Sequence, residues 1–547
     1  MPPFAMTSPK TGEKLEAVDA TPLEGIAAVV AKARAAQAEW AAMEVAKRVS
    51  AISKVKARIL TRAEAIAKTI TDETGKPDVE ALLGEVLASA DVVGYWAEII
   101  ADELEPFEAE IDALSYPKKA GLIHREARGT IGVIMPWNFP FALPLRTFIP
   151  ALMAGNAIVF KPSEITPRSG ALVVELFAGL VPEGLIGLVQ GGGDAGAKLC
   201  AADVDLVVFT GSPASGRKVA HACADRLIPC TLELGGKDAA IVLADADLDR
   251  AANGIVWGAM MNAGQNCGAV ERVYADKKIV KELTDRIATA TRALRAGADV
   301  GPLTTEAQRA TVKRHVDEAK AAGATIHVGG EPFDDASAKL GYRPTVLTVE
   351  GDDSPLVADE TFGPVVPIMA VADAAEAVRR ANASRYGLTA SVWTADLRAA
   401  EALAKQLRAG VVTINNHSFT GALPSAPWGG VGETGWGITG SPLALDHLTR
   451  PRFVLLDRNR ASRELWWYPY TDTLKKIALA FAKLRGGAPL GGRIGAVFSL
   501  IGLLPKRMGE LKAATRAAAE APKAEKAEKA ESAEKAEKPE PPEADAP

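Results

Sequence analysis

A chain of 547 residues is longer than one hydrophobic core usually accommodates, so two or three domains are expected. Its 48% hydrophobic and 24% charged content suits a globular protein, and a net charge of −5 gives the folded body no general attraction to nucleic acid. Four cysteines without a CxxC pair and six scattered histidines argue against a disulfide framework and against a metal site.

The first ten residues lack a charged segment followed by an apolar one, so no secretory signal is read there. No apolar run reaches the roughly 18–20 residues needed to span a bilayer, and a cytoplasmic location is expected. From about Leu23 to Ile100 the pattern is one of amphipathic helices, punctuated by Gly75 and Pro77. Between about Glu108 and Arg128 it shortens and becomes more polar, as in a hairpin-like excursion.

Beyond Thr130, strand-like runs alternate with helical stretches. Ile131 to Met135, Ala157 to Phe160, Ile186 to Val189, Leu206 to Phe209 and Ala239 to Val242 are the strand candidates, with helices such as Arg168 to Gly179 and Arg217 to Asp225 between them. That alternation predicts an α/β fold, a parallel sheet covered by helices. A second alternating region runs from about Asp247 to Leu445, with strands at Val365 to Val371 and Val411 to Ile414. Arg452 to Leu456 reads as a terminal strand.

The C-terminal end differs in kind. Residues 474–516 combine apolar positions with nine basic residues and one acid, Glu510. Leu474, Ile477, Phe481 and Leu484 share a helical face beside Lys475, Lys476, Lys483 and Arg485, and Ile494 to Leu504 adds an apolar-rich run. Such a segment suits peripheral docking on an anionic membrane, or packing on the body or a neighbouring subunit. Residues 517–547 form a Lys-Ala-Glu repeat ending in prolines, for which disorder is expected.

Three motifs carry chemistry. Cys267 lies in Gly264-Gln265-Asn266-Cys267; a lone intracellular cysteine is usually a small buried residue, the reading kept for Cys200, Cys223 and Cys230. Upstream, Glu233 stands in Glu233-Leu234-Gly235-Gly236-Lys237, and Asn138 in Pro136-Trp137-Asn138-Phe139-Pro140 directly after a strand. Prolines on both sides of Asn138 stiffen a loop at the strand's carboxyl end, where α/β sheets place ligands. After another strand comes Gly211-Ser212-Pro213-Ala214-Ser215-Gly216, opening a helix whose first amides attract phosphate.

These motifs, with Lys161-Pro162-Ser163-Glu164, Phe209-Thr210-Gly211-Ser212, Glu360-Thr361-Phe362-Gly363-Pro364 and Pro427-Trp428-Gly429-Gly430, resemble the aldehyde dehydrogenase superfamily in content and order from roughly Leu23 to Leu456. The resemblance implies a Rossmann-type coenzyme domain (1–107 and 128–234), an α/β catalytic domain (235–447) and an oligomerisation hairpin (108–127 and 448–458). A basic amphipathic extension (459–516) and the tail (517–547) would follow.

By resemblance, Cys267 is the nucleophile, Asn138 with the Cys267 amide the oxyanion donors, and Glu233 the base that hydrolyses the thioester. Coenzyme A-acylating relatives lack that base, so a carboxylic acid is the expected product. The coenzyme residues are Pro136, Trp137, Lys161, Glu164, Gly211, Ser212, Gly216, Glu360 and Phe362, with NAD favoured over NADP because a carboxylate at Glu164 repels a 2′-phosphate. No GxGxxG is present, as the superfamily's variant Rossmann fold implies.

The substrate would be a small aldehyde, medium-chain or aromatic, against Phe141, Leu143, Phe419 and Leu423. Arg146 is the residue that binds the substrate carboxylate in succinic semialdehyde dehydrogenases, and the alternative for it is pairing with a nearby acid. A homodimer or homotetramer is implied, with no metal. A catalytically silent relative is the reading of another class, and intact Cys267, Glu233 and Asn138 argue against it.

Overall fold

The computed structural model describes residues 4–113, 115–336, 338–417 and 419–536. They form two compact units, one built from residues up to Phe107 with Ile123–Val454, the other from Glu108–Leu122 with the chain from Leu455 onward.

The larger unit opens with α1 (Ile26–Ala42), α2 (Val45–Thr61), α3 (Ala63–Thr74) and α4 (Ala88–Glu103). Next come β1 (Thr130–Ile134), α5 (Ala142–Met153), β2 (Ala157–Lys161), α6 (Pro167–Glu175) and β3 (Ile186–Leu188). They are followed by α7 (Gly193–Ala201), β4 (Leu206–Thr210), α8 (Pro213–Asp225) and β5 (Cys230–Glu233). The strands lie in the order β5-β4-β1-β2-β3, all parallel, with Gly435–Trp436 antiparallel on the β5 edge. Strands β1, β2 and β4 are buried at every position, the signature of a sheet covered on both faces.

The second sheet contains β6 (Asp238–Val242), then, after α9 (Leu248–Met260), β7 (Val270–Asp276). Helices α10 (Val280–Arg292) and α11 (Glu306–Ala321) precede β8 (Thr345–Thr348) and β9 (Val365–Val371). Then come α12 (Ala374–Asn382), β10 (Thr389–Trp393), α13 (Leu397–Ala404) and β11 (Val411–Ile414). The order is β8-β9-β7-β6-β10-β11, parallel throughout, with Thr325–Val328 antiparallel at the β8 edge. Alternation along β6 serves two cores: Ala240 and Val242 join one apolar cluster, Ala239 and Ile241 the other. Leu283, Ile287 and Thr291, at i, i+4 and i+8 of α10, are its buried stripe.

Phe107–Ala109, Lys119–Ala127 and Thr449–Asp457 make a third, three-stranded sheet. In the smaller unit, α14 (Asp472–Ala482) and α15 (Leu490–Ala536) pack against one another, with Ile477, Ala480 and Phe481 meeting Ala496 and Leu500. Arg507, fully buried, donates to the carbonyls of Leu465, Trp467 and Pro469 at 3.2, 2.5 and 2.8 Å. Glu510 accepts from Thr471 and Thr473, both at 2.6 Å.

Two expectations are corrected here. The face carrying Leu474, Ile477 and Phe481 is buried in this pair of helices and is not available to a membrane. Residues 517–536, expected to be disordered, continue α15, because Ala, Lys and Glu are strong helix formers and Glu525 pairs with Lys529 one turn on at 2.9 Å. No helix among the described residues is long and apolar enough to cross a membrane.

Candidate functional site

Strand order locates the site before any side chain is considered. From β1 the first sheet proceeds through β2 and β3 on one side, then restarts at β4 on the other, so the crevice of a doubly wound sheet opens beyond the carboxyl ends of β1 and β4. The loops leaving those ends hold Pro136-Trp137-Asn138 and Gly211-Ser212, while Lys161 closes β2 and Glu233 closes β5. On the second sheet, Lys237 and Cys267 lie just ahead of β6 and β7, at their amino ends.

The Cys267 loop has an unusual backbone. After α9 the chain makes a tight turn with Asn262, Ala263 and Gly264 all left-handed, at φ of 55°, 53° and 70°. A side chain at Gly264 would meet the carbonyl of Gly363 at 2.1 Å, so glycine is required. Gly236 is constrained similarly, since a Cβ there would lie 2.4 Å from the Cys267 carbonyl. The Glu233 motif is thereby pressed against the cysteine. His417 also meets this loop, with Nε2 at 2.9 Å from the Gly268 carbonyl, and burial lowers its pKa to about 4. It is a neutral tether, not a base.

Asn138 is held from several sides. Its carbonyl accepts from Lys76 Nζ and Asn262 Nδ2, both at 2.9 Å, and its own Nδ2 donates to the Gln265 carbonyl at 3.2 Å. Lys76 is buried and paired with Glu85 at 2.5 Å, and Glu85 also accepts from the Phe141 and Ala142 amides at 2.9 and 3.2 Å. Removing one member of such a buried pair costs about 3–5 kcal/mol, so the clamp is stiff. Glu85 sits in a π-helical turn, Leu82–Leu87, a widening that often marks functional sites. Glu80 takes the Asn262 amide at 3.0 Å, and burial pushes its carboxyl up to about 7.

Glu233 is buried and accepts from Thr439 Oγ1. Burial pushes its carboxyl up to about 7, against the opposing pull of Thr439 and Arg146. Burial, with the charges of Glu233, Asp238 and Glu360, drives the Cys267 thiol well above its ordinary range. At rest the thiol therefore holds its proton and needs a base to release it.

A cavity of about 330 Å³ opens beside Cys267. Its walls are chiefly apolar: Val79, Leu83, Val92, Phe139, Leu143, Trp257, Met261 and Trp428. Leu143 lies where expected. Phe141 does not: it is fully buried in the core of the first sheet, and Phe139 faces the cavity instead. From the 415–424 loop, Gly421 and Ala422 contribute; Leu423 is absent from the lining, and the side chain of Phe419 lies outside what is described.

Arg146 does line the cavity; among the described residues it makes no ion pair, although its charge acts on Glu233. Its Nη1 donates to the Gly421 carbonyl and its Nη2 to that of Ala426 at 3.1 Å. Lys76, the other cation in the wall, is taken by Glu85 and the Asn138 carbonyl.

The expected coenzyme residues gather at the same strand ends. Lys161 pairs with Glu164 at 3.1 Å beyond β2. Ser212 caps α8 by accepting the Ser215 amide at 3.3 Å, and Gly216 is buried in that first turn. Trp137 meets Phe362 edge-on, centroids 5.7 Å apart. Glu360, pushed up to about 8 chiefly by burial, accepts the Gly236 amide at 2.9 Å. The next two amides, Thr361 and Phe362, are held at 2.8 Å by Glu271, itself paired with the buried Lys237.

Lys76, Glu80, Glu85, Asn262, Glu271, His417 and Thr439 were not legible as site residues. Each acts by a hydrogen bond to a loop distant in sequence, and no local pattern marks that. Among the described residues no cluster of His, Cys, Asp and Glu converges as a metal site.

Comparison with known proteins agrees with this architecture. The model of the "Aldehyde dehydrogenase family" matches residues 2–454. A Methylomonas sp protein named 4,4'-diapolycopene aldehyde oxidase is 36% identical over 86% of this chain and 89% of its own. A Mycobacterium ulcerans (strain Agy99) protein named as an NADP(+) succinate-semialdehyde dehydrogenase is 36% identical over 82% of this chain and 87% of its own. Among solved structures, a Mycobacterium tuberculosis aldehyde dehydrogenase complexed with NAD+ aligns with a TM-score of 0.80 at 32% identity, covering 84% of this chain and 96% of that one.

Proposed function

The chain belongs to the aldehyde dehydrogenase family, and from that premise we propose that it oxidises an apolar aldehyde to the carboxylic acid with NAD as electron acceptor. One observation carries the substrate class: the cavity beside Cys267 is walled chiefly by apolar side chains, with Lys76 paired to Glu85 and the Arg146 Nη atoms held by the Gly421 and Ala426 carbonyls. Cavities of this size hold small molecules and select by shape and desolvation.

The chemistry assigned to the residues follows from their surroundings. Cys267 gives its proton to a base from solvent as sulfur adds to the aldehyde carbon. The resulting oxyanion is stabilised by the Asn138 amide group and the Cys267 backbone N–H. Pro136, Trp137, Lys161, Glu164, Gly211, Ser212, Gly216, Glu360 and Phe362 would hold the coenzyme, which when bound supplies the acceptor for the two electrons leaving the thiohemiacetal. Their donor set fits: an exposed helix turn for phosphate, a carboxylate beside a lysine for ribose hydroxyls, and an aromatic pair. Glu233, titrating near neutrality, then draws a proton from the water that attacks the thioester and passes it to the departing sulfur, releasing the acid and restoring the thiol.

NAD is preferred because Glu164 would oppose a 2′-phosphate, although several relatives are named for NADP(+). The expected homodimer or homotetramer would use the third sheet, and the unpaired thiols suit a reducing compartment such as the cytoplasm. A second reading, a semialdehyde carrying a carboxylate, is favoured by the presence of Arg146 in the wall and by relatives named as succinate-semialdehyde dehydrogenases.

The test is a panel of aldehydes with NAD and NADP, read by absorbance of the reduced coenzyme. Medium-chain aliphatic or aromatic aldehydes should exceed succinic semialdehyde in kcat/KM by about tenfold or more. The reverse order would overturn the apolar assignment and free Arg146 for the second reading. Asn138→Ala should lower kcat by about 10²–10³ with little change in KM, as expected for a donor used in the transition state. Unchanged kcat would remove Asn138 from the oxyanion site.

A further inference from the structure

The smaller unit leaves one apolar face bare. Along α15, steps of about 100° bring Leu490, Ile494, Phe498 and Ile501 to one stripe, and these side chains are 74%, 51%, 70% and 64% exposed. The helix's buried contacts to α14, through Ala496 and Leu500, lie roughly a third of a turn away. Helix pairing therefore consumes one apolar face and cannot cover the other.

Charge indicates what does cover it. Residues 474–516 hold nine basic residues and one acid, a net charge of +8. The single acid, Glu510, is taken by Thr471, Thr473 and Arg507. Lys475, Lys476, Lys483, Arg493, Lys506 and Lys512 are exposed, and none has an ion-pair partner among the described residues. A second copy meeting this face about a two-fold axis would set +8 against +8, which opposes self-association. An anionic surface with an apolar interior satisfies both features at once.

We infer that α15 docks in the plane of an anionic lipid bilayer through Leu490, Ile494, Phe498 and Ile501, with the flanking lysines and arginines on phosphate headgroups. The helix lies on the membrane and does not cross it, since its polar residues continue round the other faces and no described helix meets the requirements for a span. Docking puts the enzyme at the phase where apolar aldehydes concentrate; that benefit rests on the proposed substrate class, while docking itself does not.

Flotation of the full chain with vesicles tests the inference. With phosphatidylcholine and phosphatidylglycerol together the protein should float, and phosphatidylcholine alone or high salt should release it. The triple substitution Ile494→Ser, Phe498→Ser and Ile501→Ser, at exposed positions, should weaken partition by about tenfold or more. Elution volume and turnover of a water-soluble aldehyde should be unchanged. Lys475→Glu with Lys476→Glu and Lys483→Glu should weaken it on the anionic vesicles. Flotation of the triple variant like the parent, equal flotation on both lipids, or a change of oligomeric size with flotation unaltered would each overturn the proposal. The last outcome would assign the face to a second copy.

Discussion

Cys267→Ala is expected to lose aldehyde-dependent NADH formation by about 10⁴-fold or more, because among the described residues lining the cavity Cys267 carries the only thiol. The substitution should leave the fold intact. The sulfur's side-chain partner is Asn266 Oδ1 at 3.8 Å, a weak contact, and the surrounding turn is set by Asn262, Glu80 and Gln265. Near-parental thermal stability and retained coenzyme binding should therefore accompany the loss. The other cysteines serve as controls. Cys230 begins the strand that Glu233 ends, about 10 Å away along β5, and Cys200 and Cys223 lie on helices α7 and α8. Cys230→Ala should keep parental turnover. Activity within tenfold of the parent in Cys267→Ala would overturn the nucleophile assignment, whatever the substrate.

Glu233→Gln separates the two halves of the reaction. The amide is nearly isosteric and its Oε1 can keep the hydrogen bond from Thr439, so geometry should survive while the base is removed. One equivalent of NADH per site should appear as a burst, followed by steady turnover slower by about 10²–10⁴ as the thioester accumulates. The pH dependence has a definite sign. A carboxyl pushed up to about 7 is mostly protonated below neutrality and becomes the base as pH rises, so deacylation-limited kcat should climb through pH 7 in the parent. In Glu233→Gln the burst should persist and that rise disappear. Parental steady-state turnover, or an unshifted pH profile in the variant, would remove Glu233 from the deacylation step.

Much of the first sheet was readable because its strands are short runs without charge: Ile131 to Met135 and Leu206 to Phe209 differ from the observed limits by no more than one residue at either end. Four parallel strands of the two large sheets escaped notice for the opposite reason. Strand β7, central in the second sheet, carries Glu271 and Arg272 inside a buried segment, which conceals it from any search for apolar runs. Those charges are tolerated because Glu271 meets Lys237 and two amides, while Arg272 donates to the Lys237 carbonyl at 2.8 Å. Cys230–Glu233, Thr345–Thr348 and Thr389–Trp393 are short and partly polar, and only pairing with neighbours makes them strands.

The amino-acid order by itself pointed to the groups that could react, a thiol, a carboxylate and a carboxamide beside stiff or glycine-rich turns, since turn chemistry is local. Tertiary structure decided everything that depends on which distant groups satisfy one another. It turned Phe139 to the cavity and Phe141 to the core, engaged Arg146 with two carbonyls, and raised the Glu233 carboxyl by burial. It also buried one apolar face of the C-terminal helices and left another bare. Burial and hydrogen-bond satisfaction are properties of neighbours in space, and the chain's own order does not contain them.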